Sequence, residues 1–289
     1  MPQLLRRTVA FLERVHPPAT SRLAQALFLT PPRHRRTARE QEHLRHSTPL
    51  RIPFHGGFLQ AHARGEGPTV LLIHGWGGRG GQLRAFAAAL ADAGFRAVML
   101  DAPGHGGSPG WQSGIPEFAE ALQATAAHLG PLHGVVGHSL GGIATLLALA
   151  EGLPARRAVI VAAPAHPRRF FQQLLTGLGI AETRWPVLEA AFEARVHRRF
   201  AAVEAPTLAQ AITSPLLVVH DVDDREVPLR EAEATAAAGG ARLLATTGLG
   251  HRRILKDPGV VREVVRFLGG EPCGPGKLEA ELAFPDLRD

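Results

Sequence analysis

Cysteine, tyrosine and lysine are nearly missing from this sequence. Cys273 stands alone, tyrosine is absent, and Lys256 and Lys277 are the two lysines among 32 basic residues. One cysteine allows no intrachain disulfide and no cysteine-built zinc cluster. No apolar run approaches the ~18 residues that cross a bilayer, which argues against an integral membrane protein. Hydrophobic residues make up 45% and charged residues 20% of the 289 residues, a balance that excludes wholesale disorder and provides a substantial core. At ~100–200 residues per domain, the length allows one large domain or two small ones.

The net charge of +6 suggests an anionic partner until it is mapped. Residues 1–46 hold nine arginines against Glu13, Glu40 and Glu42, and the remaining residues balance 23 basic against 23 acidic side chains. The main body is neutral, so no nucleic-acid partner is expected. Arg6-Arg7 before Thr8-Val9-Ala10-Phe11-Leu12 has the outline of a signal peptide. Glu13 and Arg14 end the apolar stretch short of the ~7–15 residues such a segment needs, and a cytoplasmic protein is expected. Leu4, Leu5, Phe11, Leu12 and Val15 fall near one face of a helix over 3–15, and Leu23 to Leu29 forms a second apolar stretch before Pro31-Pro32. The expectation is a basic helical extension, 1–46, that packs on the main domain; weak contact with an anionic membrane surface is the alternative.

From residue 50 onward, strand and helix signals alternate. Runs 50–54 and 58–63 flank His55-Gly56-Gly57, a hairpin signal. Short apolar runs follow at 69–73, 97–100, 132–136, 158–161, 216–219 and 242–245, with helical patterns at 82–93, 115–129, 140–151, 229–238 and 257–268. This pattern predicts an α/β domain over 47–270, with a mostly parallel sheet covered by helices on both faces. The connection from Val161 to Leu216 is too long for a crossover. Phe170, Phe171, Leu174, Trp185, Phe192 and Phe200 recur in it at helical spacing, which predicts a small helical cap over about 164–211. Open parallel sheets bind ligands beyond the carboxyl ends of their strands, where such a cap would roof the site. Residues 271–289, including the glycine-rich stretch up to Lys277, are expected to form a loose tail.

Two stretches fit the G-x-S-x-G pattern, Gly106-Gly107-Ser108-Pro109-Gly110 and Gly137-His138-Ser139-Leu140-Gly141. A nucleophile elbow uses the N–H of the residue after the serine as an oxyanion donor. Pro109 has no N–H, which excludes Ser108. Ser139 lies between a strand and a helix, the context the motif requires, and becomes the candidate nucleophile. Its base should follow an acid late in the chain, and His251 is the one histidine after residue 220. Asp221, Asp223 and Asp224 all follow the strand at 216–219 and are candidates for the acid. The loop His74-Gly75-Trp76-Gly77-Gly78 suggests the Trp76 N–H as a second oxyanion donor beside that of Leu140. His74 is expected to hold that loop, His138 to be structural or pocket-lining, and Asp101 and His105 to fix a turn. The pattern calls for no cofactor and no metal. The three aspartates lack the glycine and distal glutamate of a calcium loop.

Taken in order, 74–78, Asp101-Ala102-Pro103-Gly104-His105-Gly106, 137–141, the Asp224 region and Gly250-His251 resemble the α/β-hydrolase superfamily over about residues 50–268, and within it bacterial serine esterases and lipases. The resemblance selects Asp224, which precedes Val227-Pro228 by three and four residues. Asp221 stands where glycine is common in the family; at the strand end it is expected to cap or hydrogen-bond the turn, with its replacement by Asn costing ~10-fold or less in turnover. The resemblance implies a Ser139–His251–Asp224 triad and hydrolysis of small-molecule esters with small to medium apolar groups. The same triad would serve an aminopeptidase, a thioesterase or a C–C bond hydrolase. An inactive binding protein on the same fold is the non-enzymatic alternative.

Overall fold

The computed structural model describes residues 3–271 and 277–278. Three helices come first: α1 (Gln3–Val15), α2 (Pro17–Leu29) and α3 (Ala38–Arg45). The hairpin β1 (Thr48–Phe54) and β2 (Gly57–Arg64) leads into β3 (Thr69–Ile73), α4 (Arg84–Asp92), β4 (Arg96–Leu100), α5 (Ile115–Leu129), β5 (Gly134–His138), α6 (Leu140–Ala150) and β6 (Ala158–Val161). The long connection carries α7 (Arg168–Leu178), α8 (Trp185–Val196) and α9 (Ala205–Ala209). The chain continues through β7 (Leu216–Asp221), α10 (Leu229–Ala238), β8 (Arg242–Thr246), α11 (Gly250–Arg253), α12 (Pro258–Gly269) and β9 (Lys277–Leu278).

The strands form one sheet in the order β1-β2-β4-β3-β5-β6-β7-β8-β9. β2 pairs antiparallel with β1 and β4, and the other pairings are parallel. Because side chains alternate across a strand, β3 sends Leu71 and Ile73 to one face and Val70 and Leu72 to the other. The first face packs on α5, α6, α9 and α10 around Phe118 and Ile143. The second packs on α4 and α12 around Phe86 and Val264. Phe86 and Phe118 are fully buried, and truncating either to alanine would cost about 3–5 kcal/mol.

A third apolar cluster joins the amino-terminal arm to α7 and α8. Val9, Ala24 and Leu29 pack with Phe171, Leu175, Leu188 and Phe192. The apolar residues of α1 do not all share this inward face. Val9 is buried, while Leu4, Phe11 and Val15 are exposed. Some of the arm's charges meet the body: Arg36 pairs with Asp101 at 3.0 Å, and Glu40 forms a buried two-pronged contact with Arg79. No helix among the described residues is long and apolar enough to cross a membrane.

Three local features differ from the sequence pattern. α3 escaped the periodicity because it is mostly polar, although Thr37 and Glu40 form a reciprocal capping box. β5 runs two residues later than its apolar run, since Leu132 makes an isolated bridge to Ala155 and the polar His138 completes the strand. α9 packs on α6 and α10 within the first core, so the cap proper consists of α7 and α8. Most of the expected tail lies outside the described residues; Lys277–Leu278 within it pairs with β8.

Candidate active site

Ser139 sits at the turn from β5 into α6 with φ +53° and ψ −123°. A non-glycine residue at positive φ stores strain, and the surroundings must hold it there. The flanking glycines make the turn feasible. A Cβ at Gly137 would lie 2.4 Å from the Gly141 carbonyl oxygen, and one at Gly141 would lie 2.4 Å from that of His74. Ser108, by contrast, is built into a turn: its Oγ donates to the Asp101 carbonyl at 2.5 Å and accepts the Gln60 N–H at 2.9 Å.

His251 lies in the short helix α11, at the end of the β8 loop. Its Nδ1–H donates to Asp224 Oδ2 at 2.7 Å, which leaves Nε2 to accept the Ser139 hydroxyl at 3.1 Å. The structure therefore brings Ser139, His251 and Asp224 into one hydrogen-bonded chain from residues far apart in sequence. Asp224 Oδ1 accepts the N–H groups of Glu226 at 2.8 Å and Val227 at 3.0 Å. Burial works to raise the Asp224 pKa, but the bonds from His251 and these N–H groups outweigh it and hold the carboxyl below its ordinary value.

Asp221 is fully buried. It accepts Thr246 Oγ1 at 2.6 Å, Leu249 N–H at 3.1 Å, Gly250 N–H at 2.8 Å and Asp223 N–H at 3.0 Å. It thus ties the loop that carries His251 to the end of β7, well beyond the local turn expected of it. His138 donates Nε2–H to the His251 carbonyl at 3.0 Å, and His220 donates to the Val227 carbonyl at 2.8 Å beneath Asp224. The first link joins β5 to α11 across 113 residues and has no local signature in the sequence; the second closes the loop after β7.

The loop 74–78 approaches Ser139 closely. A Cβ at Gly75 would stand 2.8 Å from the Ser139 Cβ. His74 accepts the Ala102 N–H and donates to the Gly75 carbonyl, while His105 accepts the Gly77 N–H and donates to the Pro103 carbonyl. Asp101 accepts the N–H groups of Gly80 and Gly107. His74 holds the loop as expected, and His105 and Asp101, expected only to fix their own turn, hold it too, with Trp76 and Leu140 beside Ser139 in the wall of one cavity.

That cavity has a volume of about 290 Å³. Ile143 from α6, Phe170, Leu174, Phe192 and Phe200 from the long connection, and Leu27, Phe28 and Leu29 from α2 line it together with Ser139. The arm's share in this wall was absent from the sequence reading. Arg198 is the charged residue in the lining, and it pairs with Glu151 at 2.7 Å.

The buried histidines make the domain acid-sensitive. Burial, joined by nearby positive charge, lowers the pKa of His105 and His138 to about 3 and that of His43 to about 4. In the unfolded chain they titrate near 6.5. Below that value the unfolded chain binds more protons, so stability is complete above about pH 6.5 and is lost as the pH falls towards the folded values. The Tm is expected to drop steadily from pH 7 to 4.5, with net proton uptake on unfolding at the acid end. A Tm unchanged over this range in a pH-scanned melt would contradict the buried, neutral state of these rings.

A family model described as serine aminopeptidase, S33, matches residues 66–201. A pimeloyl-[acyl-carrier protein] methyl ester esterase of Methylococcus capsulatus is 37% identical over 131 residues, 44% of either chain. One from Aliivibrio fischeri is 26% identical over 185 residues, covering 56% of this chain and 70% of that protein. The chain spans less than half the length of the first of these relatives. Among solved structures, a Pyrococcus furiosus esterase matches with a TM-score of 0.63 at 16% identity, covering 84% of this chain and 97% of that one. A thioesterase domain from the curacin biosynthetic pathway matches with a TM-score of 0.59 at 17% identity, covering 77% and 98%. The parallel sheet, the strained serine turn between β5 and α6 and the likeness to these solved structures together give the chain the α/β-hydrolase fold.

Proposed function

We propose that this chain is a serine hydrolase of carboxylic esters with small to medium apolar groups, acting through an acyl-enzyme. The observation that carries the reading is the hydrogen-bonded chain from Ser139 through His251 to Asp224 at the wall of an apolar cavity. A serine hydroxyl is a weak nucleophile at neutral pH and needs a base within reach. His251 Nε2 takes the Ser139 proton as Oγ attacks the ester carbonyl. Asp224 keeps the proton on Nδ1 and stabilises the imidazolium that forms. The N–H groups of Trp76 and Leu140 receive the developing oxyanion, the first turn of α6 offering N–H groups with no partner inside the helix. His251 returns its proton to the departing alcohol, and water then repeats the attack with His251 as base. The chemistry requires no metal or cofactor.

The cavity lining favours esters over peptides. An aminopeptidase must hold a substrate ammonium, for which carboxylates are the natural partners. Among the described residues, no Asp or Glu lines the cavity. Glu189 pairs with Arg168, Glu193 accepts the Phe200 N–H, and Glu204 faces His166. The methyl ester hydrolysis named for the pimeloyl relatives accords with this reading, and a thioester would fit the same geometry. A panel of p-nitrophenyl esters of increasing chain length, beside an aminoacyl p-nitroanilide and an acyl-CoA, tests it. The short and medium esters are expected to be the best substrates. Turnover confined to the anilide would overturn the ester assignment.

A further inference from the structure

The arm lies outside the residues matched by the family model, yet it supplies one wall of the cavity beside Ser139. Phe28 is wedged edge-to-face against Phe171 and Phe192, with ring centroids 5.1 and 5.3 Å apart. The next residue, Leu29, accepts the Ser113 N–H at 2.8 Å, which ties the end of α2 to the loop before α5. Further along, Pro32 packs against Gly77, where an added Cβ would lie 2.9 Å from its Cγ. Arg33 donates to the Gly110 carbonyl at 2.5 Å, and Arg36 meets Asp101. The segment 27–36 therefore runs from the cap to the loop that carries Trp76, held at both ends.

Held this way, it presents Leu27 and Phe28 to the cavity. The two differ in consequence. Phe28 belongs to the aromatic cluster shared with the cap. Leu27 is 36% exposed, so its side chain can change size without displacing the core.

We infer that the end of α2 is the chain-length selector of this cavity, with Leu27 limiting how long an uncharged, apolar acyl or alkyl chain can be taken beside Ser139. The inference rests on the ester reading and gives the arm a part in substrate choice. An apolar pocket discriminates by fit, where one methylene more or less changes kcat/KM about 10-fold or more. The single charged residue of the lining, Arg198, is already paired, which matches an uncharged chain.

The test compares the full chain with Leu27→Trp and Leu27→Ala on p-nitrophenyl acetate and octanoate. Leu27→Trp is expected to lower the octanoate-to-acetate ratio of kcat/KM about 10-fold, and Leu27→Ala to raise it. An equal ratio in all three proteins, or a parallel loss on both esters, would overturn the selector. If the Trp variant does not fold, the Ala variant decides by the same ratio. If the wild type cleaves no ester, the ester reading fails, and the selector is read by binding of N-phenyl-1-naphthylamine and its displacement by octan-1-ol. Octan-1-ol should then displace the dye from Leu27→Trp at least about 10-fold more weakly than from wild type. Equal displacement, or no dye binding by wild type, would overturn it.

Discussion

Replacement of Ser139 by alanine is expected to reduce hydrolysis of p-nitrophenyl butyrate to the solvent background while leaving the protein folded. In a serine protease, loss of the nucleophile alone costs about 10⁶-fold in kcat, and a loss of that order is expected here. Stability should change little. The Ser139 hydroxyl bonds to His251 Nε2, and an alanine retains the Cβ that the turn already accommodates. Ser108 makes the opposite prediction. Its hydroxyl bridges the Asp101 carbonyl and the Gln60 N–H in a buried turn. Ser108→Ala should therefore cost about 1–3 kcal/mol of stability and leave the catalytic step near wild type per folded molecule. Hydrolysis assays paired with thermal melts separate the two serines. Loss of activity at Ser108 with retention at Ser139 would exchange their roles.

The second large effect is expected at Asp224. Asp224→Asn removes the charge that faces the His251 Nδ1–H and allows the wrong tautomer, a change that lowers turnover ~10⁴-fold in a serine protease. The sequence alone placed Asp221 as a local turn cap, with a small effect on replacement. Its four accepted hydrogen bonds change that expectation. An asparagine at Asp221 would aim an NH₂ group at donors, leaving buried donors unpaired at about 1–3 kcal/mol. It would also loosen the loop that carries His251. Asp221→Asn should accordingly lower Tm and kcat together. Asp224→Asn should lower kcat by orders of magnitude with a smaller change in Tm. Asp223, whose carboxylate accepts only the exposed Gly248 N–H, should show the least effect of the three. Near-wild-type turnover in Asp224→Asn would remove it from the acid's role.

The contrast between these aspartates shows where sequence reading reaches its limit. β3 coincides with its expected range because Val70 to Ile73 are buried on both faces of the sheet and apolar throughout. β5 does not, because its last residue is a histidine whose polar ring is satisfied by the His251 carbonyl, a contact across 113 residues. Ser139 and His251 were legible through motif, chain order and the missing N–H of Pro109. The loop-holding role of His74 was legible from its place beside a glycine loop, whereas Asp101 and His105, read as fixing their own turn, also reach Gly80 and Gly77. The anchoring of the His251 loop by Asp221 and the entry of Leu27 and Phe28 into the cavity wall are products of packing between distant segments. No local pattern encodes them. α3 alone carried an unread local signal, its Thr37–Glu40 capping box.

The central claim is that Ser139 is a nucleophile activated by His251. Labelling of the native chain with a fluorophosphonate, followed by peptide mass spectrometry, tests it most directly. The predicted result is one modified site, Ser139, with the rate of labelling sharply reduced in a folded His251→Ala variant. Modification at Ser108 or another serine, or labelling of Ser139 at an unchanged rate without His251, would contradict it.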